Sequence, residues 1–311
     1  MTNMKTTTIR YTLLGLLTAG VLALPGLAPA QPSAHYVPGV EGIKGASLPP
    51  PGIYFRDYNV GYFSSRLNDN HGNEISGLNV DAYTYANVPR LIWITDAKVL
   101  GGSLGVDALI PLQYTHINAH AGPTTLIDDG TFGVGDLFAE GTWSAHTKQF
   151  DFSLGAGVWA PTGESSGLPP PVPSTKAGLG YWTEMLTAGV TWFVDTDKRW
   201  AISALNRYEF SQEKQGTEIA PGQAWTLEYG VSYGVSPTVD VGVAGYYQQQ
   251  VTADSGDGLS TPRNRVAGVG PEVSVFYPKY MLGWSLRYAY EFMAESRLQG
   301  NTLALTITKR F

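Results

Sequence analysis

The sequence predicts an all-β protein, a transmembrane antiparallel β-barrel of about 12 strands, and three observations carry that expectation. From Gly52 onward, apolar and polar residues alternate with a period of two in successive runs separated by turn residues. The connections between runs alternate short and long, as expected when turns and loops lie on opposite sides of a membrane. Lastly, NTLALTITKRF ends the chain with Leu303, Leu305, Ile307 and Phe311 on one face and Thr302, Ala304, Thr306, Thr308 and Arg310 on the other. Such a strand fits a sheet that closes on its own first strand, and barrel-assembly machinery is expected to engage it. Lys309 interrupts the apolar face only beside the chain end, where a long side chain can reach an interface.

Lys5 and Arg10 precede an apolar run from Tyr11 to Leu27, and Ala28-Pro29-Ala30 then supplies small residues, so residues 1–30 read as a secretory signal peptide. Pro25 and Gly26 break that run short of the roughly 20 residues a membrane helix needs. Residues 31–51 are rich in Pro and Gly and lack a period. They read as an extended lead, either a periplasmic tether or a plug in the barrel mouth. Residues 52–311 form the barrel.

The first run, Ile53 to Ser65, is aromatic on both parities and its faces do not separate. The second, Leu78 to Thr95, contains Pro89 and is expected to bend there, because Pro cannot donate to a ladder. In the third, Leu104, Val106, Ala108, Ile110, Leu112 and Tyr114 face outward and Asp107 inward. The fourth, Gly135 to Ala145, turns Asp136, Phe138 and Glu140 inward; the fifth, Phe150 to Ala160, turns Trp159 inward. The stretch PTGESSGLPPPVPSTKAG is an irregular loop. The sixth and seventh, Tyr181 to Val194 and Trp200 to Phe210, flank the turn DTDKR, with the parity of Glu184 left open. The eighth turns Glu228 inward, and the ninth Asp240 and Tyr246. The tenth, Arg265 to Tyr277, and the eleventh, around Leu282 to Phe292, turn Glu272, Arg287 and Glu291 inward. The closing strand adds Arg310. The links after the second, fourth, sixth, eighth and tenth runs are short and those after the first, third, fifth, seventh and ninth are longer. An even number of strands places both termini on the periplasmic side.

Hydrocarbon forces a sheet to close, because an unpaired backbone group there costs several kcal/mol. The outer face is then apolar and the polar residues line the interior, so the candidate site is the lumen: Asp107, Glu140, Glu228, Asp240, Tyr246, Glu272, Arg287, Glu291 and Arg310. Charges packed together are expected to cross-pair, Glu272 with Arg287 among them. Tyr246, Trp159 and Phe138 offer aromatic faces to small hydrophobic, lipidic or aromatic solutes. A predominantly acidic lumen would favour cations and neutral solutes.

Other classes fit less well. The chain has no Cys, which excludes disulfides and thiolate metal sites, and its formal charge of −6 argues against nucleic acid as a partner. No cofactor is expected. DDG at Asp128 and DSGDG at Asp254 lack the regular ligand spacing of a calcium site. An outer-membrane lipid hydrolase would need a His-Ser pair, and no serine stands two residues after His116. His35, His71, His120 and His146 fall in loops or turns with no evident Ser or Asp partner. The remaining alternative is a structural or adhesive barrel that transports nothing.

Four stretches carry a resemblance: HYVPGVEGIKGASLPPPGIYFRDYNVGYF from His35, GVGDLF at Gly133 to Phe138, VWAPTGE from Val158, and LGYW at Leu179 to Trp182. With them the chain resembles the family named for the meta-pathway of phenol degradation. The resemblance implies an outer-membrane transporter linked to aromatic catabolism, in outline similar to hydrophobic-substrate channels plugged by their N-terminal segment. It transfers no binding residues.

Overall fold

The structure is a computed structural model that describes residues 34–166, 174–256 and 262–311. The signal peptide expected at residues 1–30 lies outside them. Twelve antiparallel strands form one closed sheet. They are β1 (Gly52–Leu67), β2 (Leu78–Val99), β3 (Gly102–Leu109 continued by Leu112–Ala121), β4 (Thr124–Val134 continued by Leu137–His146), β5 (Phe150–Ala160) and β6 (Thr183–Phe193). Then come β7 (Trp200–Ser211), β8 (Ala224–Ser236), β9 (Val239–Gln250), β10 (Arg265–Tyr277), β11 (Leu282–Glu295) and β12 (Leu298–Arg310). β1 pairs with β2 on one side and with β12 on the other, which closes the barrel. The expected fold is borne out.

Alternation sorts the side chains. Outward positions hold exposed Leu, Val, Ile and aromatic residues, with Phe150, Trp192, Trp200 and Phe276 toward the turn end and Phe210, Tyr290, Phe292 and Phe63 toward the loop end. This is the apolar band with two aromatic girdles that acyl chains and headgroups select. Glu184, whose parity the sequence left open, points outward, where it accepts a hydrogen bond from Gln212 Nε2.

Two expectations change. The link after β2 shrinks to Leu100-Gly101, both at positive φ (50° and 79°), the backbone twist that a two-residue hairpin requires. The long loop expected after the third run is instead more strand: β3 and β4 pair from Leu112↔Val134 to Ala121↔Thr124 around a turn at Gly122-Pro123. Beyond outward Leu112, Tyr114, Phe132 and Val134 the outward residues, including His116, Asn118 and Asp128, are polar, so no oily stripe announces the rest of the pairing.

β3 and β4 are each broken at mid-length, at Ile110-Pro111 and Gly135-Asp136. The break starts at Pro89 of β2, whose carbonyl accepts from Ile110 N (3.3 Å), and passes on through the Pro111 carbonyl, which accepts from Gly135 N (2.8 Å). Beyond it, β5 stops at Ala160, and the Thr124–Val134 edge has no neighbouring strand. The wall therefore has a seam between β4 and β5, covered by residues 161–166 and 174–180.

Candidate functional site

The lumen is occupied by residues 34–47, a stretch of turns and bends several of whose backbone N–H groups are received by wall side chains. Glu209 on β7 accepts from His35 N (3.0 Å) and Tyr36 N (3.1 Å), and Glu228 on β8 from Gly39 N (2.8 Å) and Glu41 N (3.1 Å). Glu272 on β10 accepts from Ile43 N (2.8 Å), and Ser203 on β7 from Ala46 N (3.2 Å). A segment without ladder partners must find acceptors elsewhere, and charged acceptors give the stronger bonds. The wall yields room through glycine. A Cβ on Gly230 would stand 2.9 Å from Ile43 Cα, and one on Gly242 2.9 Å from Ile43 Cγ2.

Glu41 is the electrostatic centre of the segment. Its carboxylate meets Arg90 (3.1 Å), Arg56 (3.3 Å) and Arg207 (3.8 Å), and accepts from Tyr58 Oη (2.8 Å). Lys44 pairs with Asp240 (2.7 Å), and Arg207 lies 4.0 Å above the Tyr36 ring.

All nine lumen candidates have inward parity. Asp107 and Glu140 converge on Arg90, at 2.8 and 3.5 Å. Glu228 binds Arg207 at 2.8 Å besides the segment. Glu272 and Arg287 are opposed across β10 and β11 and pair at 3.0 Å, while Arg287 also donates to the Val40 carbonyl (2.8 Å). Tyr246 and Glu291 form a second group: Tyr246 Oη donates to Glu291 (3.1 Å), as does Tyr62 Oη (2.9 Å). Asp240 stands apart with Lys44, and Arg310 apart at the turn end, donating to the Pro51 carbonyl (2.9 Å).

Sequence reasoning missed Arg56, Arg90, Arg207, Glu41 and Glu209. The three arginines offset the acidic lumen expected from the strands alone. Arg207 and Glu209 were findable, since Ala201, Ser203 and Leu205 share their parity against outward Ile202, Tyr208 and Phe210. Glu41 had no parity to read.

Two of the four histidines expected to lack a Ser or Asp partner, His35 and His146, do have an acidic one. His35 Nε2 lies 3.0 Å from Asp136 and its Nδ1 2.9 Å from Thr183 Oγ1, and its ring stacks on Trp159 at 5.3 Å. His146 lies 2.9 Å from Asp151, and His116 lies 3.2 Å from Asp128 on the exposed outer face. His35 and Asp136 are 101 residues apart. Asp136 also accepts from Gly163 N (2.9 Å) and Leu179 N (2.8 Å), so it fastens the covering segments across the seam. All four stretches that carried the resemblance meet at this carboxylate.

Beside the segment lies a cavity of about 340 Å³. One side is apolar and aromatic, built by Tyr36, Phe138, Trp159 and Met185 with Val40 and Leu109 against them. The other presents Glu41, Arg90, Glu140 and Arg207, and the cavity reaches the seam at Pro111, Ala177 and Leu179. Such a space suits a flat ring that carries one polar substituent. Among the described residues no cluster of His, Cys, Asp or Glu could hold a metal ion.

Among solved structures, the COG4313 outer membrane channel from Pseudomonas putida F1 is similar, with a TM-score of 0.73 at 14% identity over 89% of this chain and 100% of that one. The TodX monoaromatic hydrocarbon channel (deltaS2 mutant) aligns at a TM-score of 0.47 and 10% identity, over 88% of this chain and 99% of that one. The transport unit of the autotransporter AIDA-I from Escherichia coli aligns at 0.46 and 10% identity, over 84% and 90%. At these identities the likeness is one of fold, that of outer-membrane barrels. No curated protein sequence matches the chain. A family model does match residues 64–307, which bears out the resemblance read from the sequence: the chain belongs to the family described as "Putative MetA-pathway of phenol degradation".

Proposed function

We propose that this chain is an outer-membrane channel for small hydrophobic or aromatic molecules, moving them by facilitated diffusion, with residues 34–51 as a plug in its lumen. The two-sided cavity carries this reading: Phe138, Trp159 and Met185 offer a face for a ring, and the paired charges opposite solvate its polar substituent. Because the lumen acids face arginines, Lys44, tyrosine hydroxyls or backbone N–H groups, the wall presents little uncompensated charge, which favours neutral solutes. Family membership points the same way, as does the description of the similar Pseudomonas putida protein as an outer membrane channel. In this reading the end where β1 starts and β12 stops faces the periplasm, and β12 is the strand that barrel-assembly machinery engages.

Uptake of phenolic solutes into liposomes holding the purified full-length protein tests the proposal. Uptake above protein-free liposomes is expected, and it should fall several-fold in Phe138→Ala/Trp159→Ala, since two aromatic contacts contribute about 0.5–1.5 kcal/mol each. Uptake no faster than in empty liposomes would sink the channel reading.

A further inference from the structure

Among the described residues the outer face of the barrel is largely apolar around its waist; Asn206 on β7 stands there singly, whereas β1 and β2 carry a cluster of polar side chains. Asp57 and Asn59 on β1 and Tyr85 and Asn87 on β2 have outward parity, opposite to buried Tyr58, Val60 and Arg90. The strand registers place this patch vertically. From Asp57 a line across the strands runs through Pro89 and Ile110, then past the break to Leu137, beside the Leu109↔Phe138 pair, and on to Ala160, the loop-end residue of β5, four strands away. In the other direction it runs through Ile307, Trp284 and Val275 to Val239, the turn-end residue of β9, also four strands away. In a barrel of tilted strands, a line across the ladders climbs from one rim to the other. Asp57, halfway along it, therefore lies near the bilayer midplane.

Its surroundings are hydrocarbon-compatible. Asn59 is registered with Leu305 and through it with Leu286, and Asn87 with Leu112 and through it with Val134, all outward. Within the patch, Asn87 Nδ2 donates to both Asp57 oxygens (2.9 and 3.0 Å) and to Asn59 Oδ1 (3.2 Å). Asn59 Nδ2 donates to Asp57 (2.9 Å), and Tyr85 Oη to Asn59 Oδ1 (2.7 Å). Two groups are left over among the described residues. Asn59 uses one of its two amide hydrogens, and Asn87 Oδ1 accepts nothing. A carboxylate and two amides facing acyl chains are costly, and intramembrane polar groups mark partners or pathways.

We infer that this patch is where a second copy of the chain docks, forming a dimer about a two-fold axis along the membrane normal. Two copies inserted the same way can be related by no other two-fold axis, and it sets β1 of each against β2 of the other. The spare Asn59 N–H of one copy then meets Asn87 Oδ1 of the other, twice over, as side-chain amides do between membrane segments. Leu305 and Leu112 flank the contact and pack across it. The surface is self-complementary, holding the donor and the acceptor that its own copy lacks.

The chain contains no Cys, so introduced thiols report cleanly. Full-length Leu305→Cys and Leu112→Cys chains, mixed in lipid vesicles and treated with a bis-maleimide, should yield a two-barrel product. Leu154→Cys with Val243→Cys, on β5 and β9, should not. Asp57→Leu/Asn59→Leu/Asn87→Leu, introduced into both members of the first pair, should abolish the product while each barrel still migrates on gels as a folded species before heating. A single-barrel mass for the wild type in vesicles, a yield no greater than that of the second pair, or a product that survives the triple substitution would each overturn the proposal.

Discussion

Gly39 shows how much of the site rests on single atoms. It sits at φ +84°, in the left-handed region, and a Cβ there would stand 2.6 Å from the Tyr246 ring. Gly39→Ala should therefore cost on the order of 1–3 kcal/mol of seating energy, combining strain with the clash. The observable is single-channel current in planar bilayers, expected to rise or flicker as the segment leaves more often; an unchanged trace would remove Gly39 from the seat. At this scale the sequence was legible where chemistry differs between faces. In β1 both faces are aromatic, yet inward Tyr54, Tyr58 and Tyr62 each donate a hydroxyl hydrogen bond, whereas outward Phe55 and Phe63 have none to donate. A buried phenol needs an acceptor and a lipid-facing ring does not, so the hydroxyls were the signal that separates the faces. His35 with Asp136 was not legible, because nothing local ties residues so far apart in the chain.

At the scale of elements, β8, β9 and β11 could be drawn from the sequence because nearly all their outward residues are apolar. The continuations of β3 and β4 beyond their breaks could not be followed past Tyr114 and Phe132, because outward His116, Asn118 and Asp128 interrupt the apolar stripe there. The seam beside them depends on Asp136, which holds Gly163 N, Leu179 N and His35 together. Asp136→Ala leaves those groups without an acceptor, at about 1–3 kcal/mol for each that stays buried. Faster hydrogen exchange at residues 161–166 and 174–180 is expected, together with faster solute uptake; unchanged exchange would show that the covering segments are held by other means. The turn between β6 and β7 makes a smaller prediction. Asp195 accepts from Trp200 N (2.7 Å) and Arg199 N (3.1 Å), and these bonds hold its carboxyl below the ordinary carboxylate range. Their contribution is complete above the ordinary carboxylate range and is lost as pH falls through the lowered value. Exchange protection of the Trp200 amide, corrected for intrinsic rate, should therefore persist at mildly acidic pH and disappear at strongly acidic pH, and Asp195→Ala should lack it throughout.

For the whole molecule, closure dominates. With β1 paired to both β2 and β12, no strand can leave without opening two ladders, so unfolding should be slow and require heat. Unheated protein is expected to run on gels at a position distinct from boiled protein. Identical migration would contradict a closed barrel.

The acceptors for the lumen segment lie on β7, β8 and β10, whereas Glu41 also reaches across to Arg56 on β1 and Arg90 on β2. A hollow tube one sheet thick resists lengthwise stress well but flattens readily under lateral pressure, and a strut bonded to opposite walls keeps its cross-section round. The segment that narrows the bore thereby also stiffens it, so any solute that pushes it aside meets a softer cylinder in the act of passing.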